Sequence, residues 1–589
     1  MRRAICCLCF VIAACLTTQA QLDDWSVQHF QKAREAQKSN RLDIAVSEYR
    51  LVLSRHPDFA ECYLNLGIVY SLQERYPQAI TSFKTALKYK PHLIQARILL
   101  GITLYEVQEF HSALAELDLA LAEDPTEKQA KIYRALTLRG LDRPEDAIAE
   151  LRSLAILYPN DVTIMYQLGE AYREGALRSG HLLADKDPDS PLRDWALAIS
   201  AEQEHNNNLA IVHYVRALAG DPNIPQMYQR LAFLFDAQQA PQLAQEVRDR
   251  FTIRTPDSRP FTAEERERLF GPRIKVAGQQ DYVALWKKLG PIHPSAGLPL
   301  IADSPINRLV KERLQSEGSA SFVTAVSLFE KGNYAEAAAR LRGHVRSGQW
   351  IDAYVLARSL LAENDPNSAQ EVLDRYLRAQ YQMPSVALLK LEVQSQLAAQ
   401  SYGAVLAKQP GSTEARILHA RSLAAEDHID EAIDEYRDIL KSDPTLEEIH
   451  LAIGKLYLDQ GLWSGAAAEF VQELKNSPDN SLALALLGHA YTEANEPDLA
   501  VPILERVLAR FPKDAAALAD YGKDLTQKGD KRGAIEAFES SLKEDGSEYR
   551  LHYLLFQLYR AEGQDKLAQS HLSIFQAEEA KAHEEFKLR

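Results

Sequence analysis

Cysteine is scarce in this chain of 589 residues, and its five copies are unevenly placed. Cys6, Cys7, Cys9 and Cys15 all lie near the N-terminus, which leaves Cys62 for the rest of the chain. A single cysteine forms no internal disulfide and cannot supply a cysteine-rich metal site. Because Cys62 has no basic partner at a fixed spacing, we expect it to be structural rather than a nucleophile.

The sequence also lacks the common motifs of catalysis. It has no glycine-rich phosphate loop after a strand, no G-x-S-x-G and no H-E-x-x-H. Its histidines are scattered, and His583-Glu584-Glu585 lacks the second histidine of a zinc-binding helix. A run from Asp185 resembles a calcium loop, but Ser190 and Ala196 stand where glycine and glutamate are needed. We therefore expect no enzyme, no cofactor and no metal site.

Positive charge is too sparse for nucleic-acid binding. The chain has 67 lysines and arginines against 82 acidic residues, a net charge of −15. A phosphate backbone is held by clustered positive charge, which is missing here because both signs are spread along the chain. The charge pattern favours a solvated surface and excludes nucleic acid as a partner.

Long apolar runs are missing as well, and the one near the N-terminus is short. Arg2 and Arg3 precede the apolar residues 4–16, and the small residues Thr18 and Ala20 follow. This order is typical of a secretory signal peptide over residues 1–20. The run is too short to span a bilayer as a helix. We expect export to the periplasm or cell surface, with cleavage after Ala20.

A lipid anchor is the alternative for the same segment. The sequence Ile12-Ala13-Ala14-Cys15 resembles the lipobox of bacterial lipoproteins, in which the cysteine becomes the lipidated first residue. Cleavage there leaves a short leader of fourteen residues. No Asn-x-Ser/Thr acceptor for glycosylation occurs, which favours a bacterial exported protein. Lipidation at Cys15 would attach the chain to a membrane without a membrane span.

Proline is informative through its spacing. It ends a helix because it has no N–H donor and restricts the residue before it. A stop signal at a constant interval of 34 indicates one small helical unit copied many times. The prolines that keep this interval within each series are Pro57, Pro91, Pro125 and Pro159; Pro188, Pro222 and Pro256; and Pro410, Pro444, Pro478 and Pro512.

Each unit predicts two antiparallel helices. In the unit from Ala60 to Leu93, small Gly67 and Ala79 allow close helix contact, and Tyr70 and Phe83 fill the space beside them. The skeleton returns with Gly101, Ala113 and Ala120; with Gly454, Tyr457, Ala466 and Phe470; and with Gly488, Tyr491, Ala500 and Leu504. This pattern resembles the tetratricopeptide repeat family.

The resemblance implies an all-α fold, an α-α superhelix (TPR solenoid) in two blocks joined by a Pro/Gly-rich connector. We place an N-terminal array at residues 21–257, the connector at 258–317 and a C-terminal array with a capping helix at 318–589. Short helices are predicted in the connector at Thr262–Leu269, Asp281–Leu289 and Ile306–Ser316. Two units are shortened: Val162–Ser190 loses the usual turn, and Pro384–Ser412 is shortened in a similar way.

In this family the first helices of successive units line a concave groove, which implies protein or peptide partners. The groove positions are filled by Leu64, Asn65, Ile68, Ile98, Leu99, Ile102, Tyr105, Ile132, Tyr133, Leu136 and Arg139 in the first array, and by Ile417, Leu418, Arg421, Leu451, Leu482, Ala485, Leu486, His489, Asp520, Lys523 and Tyr553 in the second. Of these, we expect the partner to be bound by Leu64, Asn65, Ile68, Leu99, Ile102, Tyr105, Tyr133, Arg139, Leu451, Leu486 and Tyr553. Several are apolar outside the packing positions, so they form either an exposed partner strip or a surface that neighbouring units bury. Neither the basic clamp of chaperone-tail binders nor the asparagine ladder of sugar-transferase arrays matches these residues.

The sequence thus favours a non-catalytic scaffold that holds peptide segments or partner proteins in its grooves. A lipid-anchored envelope assembly factor is the second hypothesis, and it depends on Cys15. An enzyme with its site in residues 258–317 is the third.

Overall fold

A computed structural model of the protein describes residues 22–186, 190–203, 206–220, 225–252, 283–287, 309–310, 312–314, 320–346, 348–425, 428–446, 448–478, 480–544 and 548–587. Of the residues that the structure describes, 83% are helical and none lies in a strand, which confirms the all-α prediction. The predicted leader lies outside the described residues, as does the connector helix at Thr262–Leu269. Of the other two connector helices, residues 283–287, 309–310 and 312–314 are described and are helical.

Helices before the connector follow the predicted units closely. They are α1 (Asp24–Lys38), α2 (Leu42–Arg55), α3 (Ala60–Leu72), α4 (Tyr76–Tyr89), α5 (Ile94–Glu106), α6 (Phe110–Glu123), α7 (Lys128–Gly140), α8 (Pro144–Leu157), α9 (Val162–Lys186), α10 (Pro191–Gln203), α11 (Asn207–Gly220), α12 (Pro225–Ala237) and α13 (Pro241–Thr252).

Helices after the connector continue the same alternation. They are α14 (Ala320–Glu330), α15 (Tyr334–Arg342), α16 (Trp350–Ala362), α17 (Pro366–Val372), α18 (Pro384–Lys408), α19 (Thr413–Ala425), α20 (Ile429–Ser442), α21 (Ile449–Asp459), α22 (Trp463–Asn476), α23 (Ser481–Glu493), α24 (Pro497–Arg510), α25 (Ala515–Gln527), α26 (Lys531–Glu544), α27 (Arg550–Ala561) and α28 (Asp565–Lys587).

The turn inside each unit also repeats at an interval of 34. A left-handed residue separates the two helices, and the next amide bonds back to the end of the first helix, as from Arg41 N to Ala36 O at 2.8 Å. This bond satisfies a helix-end carbonyl and reverses the chain. The left-handed residues in phase are Asn40, Glu74, Gln108 and Asp142, and later Gly461, Asn495, Gly529 and Gly563.

Glycine at the small position is required by close helix packing. A Cβ atom added to Gly67 would lie 2.5 Å from Cε1 of Phe83. The same approach brings Leu504 within 2.7 Å of a Cβ atom on Gly488. Because both contacts are far shorter than van der Waals separation, a larger residue would force the two helices of the unit apart.

The chain packs into two compact units, and each contains residues from before and after the connector. One comprises residues 1–186 and Leu309–Lys408, and the other comprises Asp187–Arg308 and Gln409–Arg589. Two of the boundaries between these units fall after α9 and after α18, so the division follows packing rather than repeat order. The predicted array boundaries at 257 and 318 lie among sparsely described residues and stay a prediction.

Within the first of these units, α9 packs along α18. Both are 25 residues long, because the two shortened repeats have no internal turn there. Gly169 of α9 faces the ring of Tyr402, whose hydroxyl donates to Glu170 Oε1 at 2.7 Å. Each long helix therefore supplies the packing partner that the other lacks in its own repeat.

Polar side-chain contacts also hold this part of the unit together. Three ion pairs and one hydrogen bond join α8, and the turn between α8 and α9, to residues more than 200 positions later in the chain. The bonds are Lys390 Nζ to Glu145 at 2.5 Å, Arg152 to Asp374 at 3.1 Å, Arg378 to Asp146 at 2.9 Å and Lys408 to Asn160 at 3.0 Å.

Among the described helices, none has the length and apolar character needed to cross a bilayer.

Candidate functional site

A cavity of about 730 Å³ opens on the groove side of the last repeats. The cavity is lined mainly by the first helices of consecutive units, α23, α25 and α27, and by α28. Its lining residues are His489, Ala515, Ala516, Ala519, Asp520, Lys523, Ser541, Glu548, Tyr549, Arg550, Leu551, Tyr553, Leu554, Phe575 and Glu579. We call this cavity the terminal groove.

One end of the terminal groove is polar. His489 on α23 and Asp520 on α25 are groove positions of consecutive units, and Nδ1 of the histidine lies 2.8 Å from Oδ2 of the aspartate. Lys523, one turn further along α25, lies 2.8 Å from Asp520 Oδ1 and 3.3 Å from Glu493 Oε1. These bonds hold the three helical turns in a fixed arrangement at the groove surface.

The pairing changes the ionisation of both partners. The hydrogen bond to Asp520 raises the pKa of His489 above its ordinary 6.5. Burial would raise the pKa of Asp520, but the bonds from His489 and Lys523 lower it below its ordinary 3.8. Proximity to the two carboxylates likewise raises the pKa of Lys523, although burial opposes this. The carboxylate and ammonium are therefore charged at neutral pH.

A second buried acid lies one turn deeper in the same helix contact. Asp524 is fully buried, and its Oδ2 atom accepts a hydrogen bond from Thr492 Oγ1 at 2.7 Å. Burial raises the pKa of this carboxyl group. Two polar contacts thus fasten α23 to α25: His489 to Asp520 at the groove surface, and Thr492 to Asp524 one turn further along both helices.

The other end of the terminal groove is lined by aromatic side chains and by small residues. The Tyr553 ring centroid lies 5.1 Å from that of Phe575, which in turn is 5.9 Å from Tyr549. Tyr553 is 40% exposed, although it is a large side chain inside a concavity. Ala516 and Ala519 leave the opposing surface open, because their side chains end at Cβ. An apolar group of a ligand would fit between the two surfaces.

The polar end could in principle hold a cation. One ligand atom from each of His489, Glu493 and Asp520 lies within 4.8 Å of the others. The Lys523 ammonium, however, already neutralises both carboxylates from hydrogen-bonding distance. A metal ion would have to displace this lysine, so the cluster fits a ligand-facing polar surface better than a metal centre.

Four residues predicted for the groove of the second array lie together on this cavity. They are His489, Asp520, Lys523 and Tyr553. Leu486 is half-buried, and Leu451 is buried at 8% exposure. Their role in binding stays a prediction, but the structure places the first four around a single concavity.

The first array differs from the expected exposed apolar strip. Ile68, Leu99 and Ile102 are buried, at 9%, 2% and 2% exposure, in one core cluster. The first helices of consecutive units contact each other, α3 with α5 and α5 with α7, so groove-facing side chains cover one another. Tyr105 and Tyr133 are half-buried and pack edge to face at 5.7 Å. Of the two alternatives that the sequence left open, the exposed strip is wrong for the three aliphatic positions, and burial by neighbouring helices is confirmed for them.

The other predicted positions of the first array are also engaged in internal contacts. Leu64 is half-buried against the same core cluster, and the Asn65 amide donates to the Glu61 carbonyl of its own helix at 2.7 Å. Arg139 donates to Gln167 Oε1 at 2.8 Å and pairs with Glu174. The Arg139 contacts join neighbouring first helices, whereas the Asn65 bond stays within one helix.

Cys62 is buried, as expected for a structural cysteine. Its Sγ atom donates to the Tyr49 carbonyl at 3.5 Å, and burial raises the pKa of the thiol well above its ordinary value. A thiol that stays protonated is a poor nucleophile.

Several lining residues were not foreseen from the sequence. Arg550, Tyr549 and Glu548 precede or begin α27, and Phe575 and Glu579 come from α28, of which only the last part, from residue 577, is predicted to cap the array. Phe575 stands at the place of a second-helix packing residue, so the repeat pattern carries no signal for a groove role.

Comparison with known proteins identifies the repeats. Two tetratricopeptide repeat models match, one at residues 30–94, 451–515 and 485–549 and the other at 72–136. The CTR9 homologue of Arabidopsis thaliana is 28% identical over 108 residues, which are 18% of this chain and 10% of that protein. The chain thus spans about a tenth of that relative's length.

Two solved structures illustrate the structural likeness. MamA from Desulfovibrio magneticus RS-1 is 21% identical with a TM-score of 0.28, covering 28% of this chain and 95% of the other. YrrB, described as a TPR protein with an unusual peptide-binding site, is 19% identical with a TM-score of 0.28, covering 32% and 97%. Because both TM-scores are this low, neither similarity supports a conclusion about function.

The chain carries tetratricopeptide repeats at residues 30–136 and 451–549, as the spacing of its prolines and small residues indicated. Its repeats form a protein-interaction scaffold, and the family is in general non-catalytic.

Proposed function

We propose that the protein is a non-catalytic scaffold that binds an extended peptide segment of a partner protein in the terminal groove. The observation that carries this proposal is the half-polar, half-aromatic lining of a concavity of about 730 Å³. A peptide offers apolar side chains and main-chain hydrogen-bonding groups at alternating positions, so it needs both kinds of surface.

Each end of the groove has a separate role in this proposal. Tyr553 and Phe575 stack on an apolar side chain of the peptide, while Asp520 and Lys523 bond its main chain or a charged side chain. Lys523 is about one-third exposed, at 36%, so its remaining N–H groups can reach a ligand while it stays bonded to Asp520. Aromatic anchors next to fixed polar groups are typical of binding hot spots.

An enzyme is less well supported by the same residues. His489 and Asp520 form a base with an orienting carboxylate, but catalysis also requires a nucleophile or an activated water. Among the described residues lining the cavity, the Ser541 hydroxyl donates to the Ala515 carbonyl at 2.8 Å. This hydroxyl is buried and donates its hydrogen to that carbonyl rather than to the histidine, which favours binding over acyl transfer.

Selection of displayed random peptides on the purified protein tests the proposal. Hydrogen exchange of the complex should then show slower exchange in α25 and α27, which carry most of the lining. Protection confined to other helices, or no enriched peptide at useful affinity, would contradict peptide binding in this groove.

We also propose that the protein is exported, with Gln21 as its mature first residue. The charged, apolar and small-residue order of residues 1–20 supports this, and the lipobox-like Ile12–Cys15 supports the lipid-anchored alternative. Intact mass and N-terminal sequencing of the protein from its natural host distinguish the two. A chain that retains Met1 would contradict both.

A further inference from the structure

A polar contact between the two helices of a unit recurs at fixed repeat positions. The residue at repeat position 4, in the first helix, meets the residue 19 positions later, in the second helix. In four units a base faces an acid: His29 and Glu48, Arg97 and Glu116 at 3.0 Å, Arg416 and Glu435 at 2.6 Å, and His450 and Glu469 at 2.7 Å.

In the last unit both of these positions are histidines. Nδ1 of His552 on α27 lies 2.8 Å from Nδ1 of His571 on α28, and the ring centroids are 5.0 Å apart. No acid completes the pair, so the charge complementarity of the other units is lost. Two imidazoles at this distance share one hydrogen at most when they are neutral.

The surroundings favour neutral imidazoles beside carboxylates. Burial lowers the pKa of His552 and of His571, although Glu578 acts to raise the former and Glu539 the latter. The Tyr559 ring stacks on His571 at 5.5 Å, and its hydroxyl donates to Glu539. Negatively charged side chains thus lie near both imidazole rings, which are themselves uncharged.

We propose that His552 and His571 bind a divalent transition metal ion such as Zn²⁺ through their Nδ1 atoms and so fasten α28 to α27. Neutral imidazole is the histidine form that ligates zinc, copper and nickel. Zinc–nitrogen bonds of about 2.0–2.1 Å in a tetrahedral site place the two nitrogens roughly 3.4 Å apart. Both rings are half-buried, so a small outward rotation opens their contact to that separation.

Carboxylates support the site from outside. Metal-bound histidines commonly bond a carboxylate through the other ring nitrogen, and water completes the coordination where side chains do not. Glu539 and Glu578 are near enough to act electrostatically on these rings. The site also differs from the His489 cluster, where Lys523 already supplies the positive charge.

The inference does not depend on peptide binding, because the metal would join two helices of one unit. Its readouts are metal binding and the protection of α28. We did not predict a metal site from the sequence, since a spacing of 19 between two histidines matches no short metal-binding motif.

Calorimetric titration of the untagged, metal-free full chain with Zn²⁺ tests the proposal. The parent should bind one ion, and His571→Leu, which removes one ligand atom and supplies no other, should lose that binding. His489→Gln, which removes a ligand of the other cluster, should bind as the parent does. Hydrogen exchange in α28 should slow about tenfold at a free Zn²⁺ concentration ten times the Kd.

Other results would overturn the proposal. Equal binding by the parent and His571→Leu would show that the ion lies elsewhere, and loss in His489→Gln alone would place it in the terminal groove. Absence of binding by the parent would leave a plain hydrogen-bonded histidine pair.

Discussion

The Nδ1 atom of His489 lies 2.8 Å from the Oδ2 atom of Asp520, which joins the first helices of consecutive repeats at the surface of the terminal groove. The helices thus meet through an ionisable pair rather than through apolar packing alone. The contact is responsive to pH, because the two pKa values move in opposite directions on folding.

We expect this contact to be strongest in mildly acidic solution. The raised pKa of His489 gives stabilisation that is full below pH 6.5 and lost as pH rises through the folded-state pKa. The lowered pKa of Asp520 gives stabilisation that is present above pH 3.8 and lost as pH falls through its folded-state pKa. His489→Gln should therefore destabilise the second-array repeats more at pH 5.5 than at pH 8.5.

Urea unfolding of parent and variant at the two pH values measures this difference. The control is His92→Gln, which alters a histidine that is 88% exposed at its side chain. A His489→Gln effect that is the same at both pH values would show that the pair does not titrate as described.

Tyr402 should stabilise two helices that are far apart in the chain. Tyr402→Phe removes the hydroxyl that donates to Glu170 and should cost about 1.5–3 kcal/mol, as for bonds to charged groups. Tyr402→Ala also opens a cavity beside Gly169 and should cost more, about 3–5 kcal/mol. Hydrogen exchange should accelerate in both α9 and α18. Acceleration in α18 with α9 unchanged would contradict their packing.

This long-helix pair marks the limit of what the sequence could predict. The units themselves were predictable, because small residues, aromatic residues and prolines recur at fixed intervals. The loss of the turn in the two shortened units was also visible. Their contact was not, since Gly169 and Tyr402 are separated by more than 200 residues and no spacing relates them.

Tyr105 and Tyr133 should stabilise the first array. We expect the double variant Tyr105→Ala with Tyr133→Ala to lower the melting temperature, because their edge-to-face rings pack against the core cluster. Removal of such rings typically costs about 3 kcal/mol or more. Tyr89→Ala, at a 43% exposed tyrosine, is the control for a surface ring. Unchanged melting of the double variant would return these tyrosines to the partner surface first expected from the sequence.

Sequence reasoning failed in the first groove for a physical reason. The position of a residue in the repeat tells which face of its own helix the side chain occupies, and it placed Leu99 and Ile102 on the groove face. Exposure depends instead on how closely neighbouring first helices approach. In the second array the same register placed His489, Asp520, Lys523 and Tyr553 on one cavity, where polar and aromatic groups keep it open.

Gly488 should be intolerant of any large residue. A Cβ atom there would lie 2.7 Å from Leu504, so Gly488→Trp should separate α23 from α24 at a cost of about 1–3 kcal/mol or more. Exchange should accelerate in these helices and their neighbours, since repeats couple to adjacent repeats. Gly411→Ala is the control, because nothing lies within 4 Å of a Cβ atom there. Equal acceleration in α1–α8 would contradict the confinement of the effect.

Peptide binding in the terminal groove is tested most directly by the affinity of a selected peptide for two matched variants. Tyr553 and Phe511 are aromatic residues with similar exposure, 40% and 43%, but only Tyr553 lines the cavity. Loss of an aromatic anchor costs about 2 kcal/mol, so Tyr553→Ala should raise the Kd roughly 30-fold, while Phe511→Ala leaves it unchanged. Equal affinity of the parent and Tyr553→Ala, with both folded, would contradict binding in this groove.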